Sequence, residues 1–175
     1  MSERLTLVHL LPGHCRLPVY YTNRSQCWFK LKNFESALND ATEAVKLDPS
    51  FGKGYLRVAS CCTVYGDFEK ARRCLEQALP LLDSKGQAEV AREKARLDVV
   101  CKNALELERC WEKQDWRAAV YFATQVAEVA PQMPSVFARK AEALVYCKKV
   151  EDALNLMADV LRRDDKNVDA IYVRG

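Results

Sequence analysis

The sequence predicts an all-α chain: a solenoid of stacked helix-turn-helix pairs with one long connecting helix. Three observations predict it. Alanines recur 34 residues apart, Ala37 with Ala71 and Ala119 with Ala153, and Ala44 with Ala78 repeats the interval; a fixed period between roughly 20 and 50 residues marks a repeat array. Within the period, Phe34, Ala37, Leu38, Ala41, Ala44 and Val45 stand at three- and four-residue steps, the spacing of one apolar stripe on a helix. Gln87–Glu112 contains neither Gly nor Pro and is rich in Ala, Glu, Lys, Arg and Leu, which predicts one continuous helix about 39 Å long.

The elements follow from these offsets. Residues 1–17 contain Pro12 and Gly13, show no repeat pattern, and are expected to form an irregular N-terminal segment, either a cap or sequence from a truncated or alternative product. Residues 18–85 form the first repeat pair, divided at 51 and 52. Asp48-Pro49 ends its second helix, because proline lacks the backbone donor and disfavours helix in the residue before it. From Ala71 to Ala119 is 48 residues, one period plus 14, so residues 86–99 are an insertion inside the long connecting helix. Residues 100–167 form the second repeat pair, divided at 133 and 134, with Ala130-Pro131 as the matching stop. Residues 168–175 begin a fifth unit. Each pair leaves apolar surface that only its neighbour can cover, so stability is expected to come from stacking along the array.

Composition excludes several functions. Hydrophobic residues make up 49% and charged residues 29%, a balance that supports a folded core. The apolar run Leu5–Leu11 is far shorter than the roughly 20 residues of a membrane span, and it lacks a clear cleavage site. The 27 basic and 24 acidic residues are interspersed, for a net charge of +3, without the basic stripe of a nucleic-acid binder. Eight cysteines include no CxxC pair, so no metal site is expected, and they read as small buried side chains in a reducing, cytoplasmic compartment. The two histidines are His9 and His14, both outside the repeats, which leaves the array without the usual proton carrier. Gly52-Lys53-Gly54 lacks the upstream glycine and following Ser or Thr of a phosphate loop. No catalytic residue, enzyme activity or cofactor is expected.

The period of 34 with its recurring residues resembles the tetratricopeptide repeat family. Its early aromatic falls at Tyr21, Tyr55 and Phe137, with Ser25, Ala59 and Ala141 as the small residue four later. Unit three departs, with Asn103 and Leu107. The turn aromatic is Phe34, Phe68 and Trp116, with Val150 in the last unit, and the closing proline is Pro49 and Pro131, replaced elsewhere by Asp83 and Asp165. The period assigns Trp28, Trp116, Tyr55 and Phe137 to packing between helices. Such arrays usually take ligands on the surface lined by the first helices. Lys53 and Arg57 lie four apart on one first helix, and Asn23 occupies the position equivalent to Arg57 on the preceding one. A guanidinium fork, a mobile ammonium and an amide donor favour an acidic, extended peptide.

Tyr21-Thr22-Asn23-Arg24-Ser25 and Phe51-Gly52-Lys53-Gly54-Tyr55-Leu56-Arg57 further resemble the carboxylate clamp of cochaperones. The resemblance implies that Asn23 holds a terminal carboxylate while Lys53 and Arg57 engage acidic groups of the Glu-Glu-Val-Asp tails of heat shock protein 70 and heat shock protein 90. That family also draws a Lys and an Asn from an upstream repeat, and Met1–Pro18 holds neither residue type. Two blocks joined by a long helix resemble DnaJ-related members that carry a J domain after their repeats; no His-Pro-Asp tripeptide occurs here, so chaperone ATPase stimulation is not assigned to this chain. Arg139 and Arg174, on later first helices, are candidates for a second groove. Two readings stay open: an adaptor that binds chaperone tails, or a repeat scaffold for a multiprotein assembly that uses apolar or mixed groove contacts rather than a carboxylate clamp; Lys53 and Arg57 also read as two ordinary solvated basic residues on a first helix.

Overall fold

The computed structural model describes residues 17–163, and among them every regular element is helical. The expectations for 1–16, for the fifth unit and for Arg174 lie outside the described residues. Eight α-helices follow in order: α1 (Pro18–Lys30), α2 (Phe34–Leu47), α3 (Gly52–Tyr65), α4 (Phe68–Ala78), α5 (Ser84–Glu112), α6 (Trp116–Val129), α7 (Pro134–Tyr146) and α8 (Val150–Arg163), with a short 3-10 turn at Leu79–Leu81. Two compact units divide them. The first holds residues 17–63 and Asp67–Leu97; the second holds Val64–Gly66 and residues 98–163.

The starts of α2, α4 and α6 are set by short polar side chains. Asn33, Asp67 and Asp115 each accept a hydrogen bond at 3.1 Å from the backbone N–H three residues on, at Ser36, Lys70 and Ala118; such a cap contributes about 1 kcal/mol. The residue before each cap takes a positive φ, at Lys32, Gly66 and Gln114, and Lys148 repeats it ahead of α8. Only Gly66 has the residue type that adopts this conformation without a Cβ penalty. The expected stops are observed: α2 ends at Leu47, ahead of Asp48-Pro49, and α6 at Val129, ahead of Ala130-Pro131.

The long helix is 29 residues, about 44 Å, and starts three residues before the Gly- and Pro-free segment. Asp83 explains the earlier start, because its side chain accepts from the Gly86 N–H and its carbonyl from the Gln87 N–H, both at 2.8 Å. Gly86 is tolerated inside the first turn because it packs closely: a Cβ there would sit 2.8 Å from Leu82 Cβ.

The repeating small positions lie in the core. Ser25, Ala59 and Ala141 are buried, as are Ala37, Ala71, Ala119 and Ala153 at the second-helix position. Ser25 keeps its hydroxyl satisfied by donating to the Ala37 carbonyl at 2.7 Å, which ties α1 to α2. In unit three the small residue is replaced by Leu107, which is also buried. Val150, in the place of a turn aromatic, remains half exposed, whereas Phe34 is buried.

The cysteines of α3 and α4 behave as core residues. Cys61, Cys62 and Cys74 are buried, and burial pushes the Cys61 thiol up to about 12 and Cys62 to about 11, against an ordinary value of 9.0. Neutral thiols are poor nucleophiles. At pH 8 iodoacetamide should label exposed Cys27 readily and leave Cys61 and Cys62 unlabelled until the chain unfolds, as read by mass spectrometry of the peptides. Linkage gives a second readout. Below pH 9 both states carry the thiols; above it the unfolded chain ionises first, so stability should fall from about pH 9 and keep falling until the native thiols ionise near 12.

Candidate peptide-binding groove

In the first unit α1 and α3 carry the basic and amide side chains predicted from the sequence. Asn23, near the middle of α1, and Lys53, in the first turn of α3, are both exposed. Lys53 stands exposed between the buried Gly52 and Gly54, each about 100° away from it around the helix axis. Neither glycine has room for a side chain. A Cβ on Gly52 would lie 2.8 Å from Leu82 and 3.1 Å from the Ala78 carbonyl, and one on Gly54 would lie 2.8 Å from Val45 Cγ2. Close approach to α2 and α4 therefore sets where Lys53 stands.

Arg57 is half-buried and already held. Its Nη2 donates to Gln26 Oε1 on α1 at 3.3 Å and lies 3.9 Å from Glu89 Oε2 on α5. Three successive first helices of the unit thus meet at one guanidinium. The sequence reading named Arg57 but missed Gln26 and Glu89. Gln26 was detectable, because it lies one turn after Asn23 on the same helix face.

Arg24 has a different role from its neighbour Asn23. Its Nε and Nη2 donate to the two Asp40 oxygens at 2.7 and 2.6 Å, with side-chain exposures of 16% and 10%. The guanidinium also lies over the Tyr21 ring, 5.4 Å from its centroid. Planar, two-point pairing of this kind is a strong orienting contact, and here it fixes α1 on α2 so that Asn23 and Gln26 face their own side.

In the second unit Arg139 on α7 forms a hydrogen-bonded ion pair with Glu108 on α5. Its guanidinium lies 5.6 Å from the Trp111 ring centroid. Trp111 meets Trp116 edge to face at 5.3 Å, and Trp116 stacks on Tyr146 at 4.2 Å. Trp116 is thus a packing residue, in keeping with the repeat pattern. Among the described residues no group of three or more His, Cys, Asp or Glu could hold a metal, and no helix is long and apolar enough to cross a membrane.

The helix pairs form a tetratricopeptide-repeat-like solenoid fold, and residues 18–51 match the family model described as Tetratricopeptide repeat. The crystal structure of the P58(IPK) TPR domain superposes with a TM-score of 0.84 over 99% of this chain and 49% of that one, at 16% identity, which establishes the fold. Among curated proteins, the repeat region is similar to DnaJ homolog subfamily C member 7 of Homo sapiens, 35% identical over 89% of this chain and 31% of that protein. Heat shock protein STI1 of Saccharomyces cerevisiae is 46% identical over 40% of this chain and 11% of its own length. The chain therefore spans about a third or less of these two relatives.

Proposed function

We propose that the chain is a non-catalytic cochaperone adaptor whose first unit binds the acidic C-terminal tails of heat shock protein 70 and heat shock protein 90 in the cytoplasm. Asn23, Lys53 and Arg57 form a partial carboxylate clamp. The observation that carries the reading is the placement of Arg57, oriented between α1 and α5 by Gln26 and Glu89, on the helix whose first turn exposes Lys53. Both contacts to Arg57 are long, so an incoming carboxylate can replace them with a shorter, two-point bond. Similarity to DnaJ homolog subfamily C member 7 and heat shock protein STI1 supports the same reading.

Calorimetric titration with a Glu-Glu-Val-Asp peptide tests it. Binding should weaken with salt, as exposed charge pairs do. Arg57→Ala should lower affinity by about ten- to a hundredfold, the range for losing a hydrogen bond to a charged group, and an amidated peptide should lose affinity similarly. No binding by a folded chain would remove the adaptor reading and leave the repeat scaffold, which free tail peptide would not displace from its partners.

A further inference from the structure

The two units carry the same arginine in different company. Arg57 and Arg139 are 82 residues apart, two periods plus the 14-residue insertion, and Gln26 and Glu108 are also 82 apart. Each arginine bonds the residue 31 positions before it, on the preceding first helix. Position and contact recur with the repeat, and the chemistry of that acceptor changes. In the first unit it is a neutral amide at 3.3 Å, with the Glu89 carboxylate farther off at 3.9 Å. In the second it is a carboxylate in an ion pair.

We propose that the residue 31 positions before each groove arginine selects which unit accepts an acidic tail: with Gln26 there, Arg57 keeps only long contacts, to Gln26 at 3.3 Å and Glu89 at 3.9 Å, that an external carboxylate can replace, whereas Glu108 pairs closely with Arg139. This rests on the adaptor reading of the first unit and adds its specificity rule. A carboxylate held on the same chain competes at a high effective concentration, and it also places a like charge beside an acidic ligand. Gln26 does neither, its carbonyl orients the guanidinium without neutralising it, and the nearest carboxylate the structure gives Arg57, Glu89, stands at 3.9 Å, beyond a direct hydrogen bond. The other groove positions agree: those equivalent to Asn23 and Lys53 in the second unit are Leu105 and Ser135, which offer no amide and no cation. Among the described residues, the first unit is therefore the one that takes an acidic tail.

Two nearly isosteric variants, Gln26→Glu and Glu108→Gln, test the rule. Both positions are partly or fully exposed, so the fold should survive, as checked by circular dichroism. Titrated with the Glu-Glu-Val-Asp peptide, the unaltered chain should bind at one site and Gln26→Glu about tenfold more weakly. The Arg139 side-chain Nε–H signal should not respond to peptide in the unaltered chain and should respond in Glu108→Gln. Equal affinity of Gln26→Glu and the unaltered chain, or an Arg139 signal that already responds in the unaltered chain, overturns the rule while leaving the adaptor reading intact. No binding by either chain overturns both.

Discussion

Asp40→Ala should destabilise the first unit by about 3 kcal/mol, the low end of the cost of breaking a buried ion pair by removing one partner. The carboxylate accepts two charge-assisted bonds from Arg24 at 2.7 and 2.6 Å and is only 10% exposed. Alanine withdraws both acceptors from a guanidinium that is 16% exposed, and a poorly solvated charge without that carboxylate is costly. For a chain of this size the loss corresponds to a fall in melting temperature of roughly 6–12 °C. Asp40→Asn keeps the shape and one acceptor oxygen and should recover part of the loss. Because a repeat array couples mainly neighbouring helices, hydrogen exchange should speed up across α1 and α2 and change little in α7 and α8. Unchanged melting in the alanine variant would show that the pair contributes no net stability. The functional consequence lies in α1: if it loosens, Asn23 and Gln26 lose their fixed positions, and peptide affinity should fall with stability.

Met157→Ala should do the reverse, destabilising the second unit by about 2–4 kcal/mol and sparing the first. Met157 on α8 is 1% exposed and packs with Ala141, Leu144 and Ala153, with Val120, Phe137, Leu156, Val160 and Leu161 around them. Three small or modest partners cannot collapse into the space a methionine leaves, so a cavity should add to the lost transfer energy. Met157→Leu conserves volume and should cost less than about 1.5 kcal/mol. Denaturant unfolding checks the magnitudes, and hydrogen exchange checks the location: α7 and α8 should lose protection while α1 and α2 keep it. Peptide binding at Asn23, Lys53 and Arg57 should persist in this variant and weaken in Asp40→Ala, which separates a global loss of fold from damage to the groove.

The fold was legible because its determinants are local and repeated. Ala37, Ala71, Ala119 and Ala153 are spaced by helix and repeat periods, and all four are buried; a pattern repeated four times leaves little ambiguity about which face is inward. The helix stops at Asp48-Pro49 and Ala130-Pro131 were equally local, since proline acts on its own backbone and that of the preceding residue. The start of the long helix was misplaced by three residues for the converse reason. Gly86 argues against helix by propensity, but the Asp83 cap and the close contact with Leu82 outweigh it.

Sequence alone determined the helical class, the repeat period and the presence of Asn23, Lys53 and Arg57 on first helices. Tertiary structure decided the company those side chains keep. Arg24, adjacent to Asn23, is committed to Asp40; Arg57 is shared by Gln26 and Glu89; Arg139 is taken by Glu108. Periodicity says which face a residue occupies, because backbone geometry alone sets that. Charge pairing depends on side chains from separate helices meeting within a few ångströms, and at such distances one difference, Gln26 against its repeat equivalent Glu108, separates a loosely shared arginine from a closely paired one.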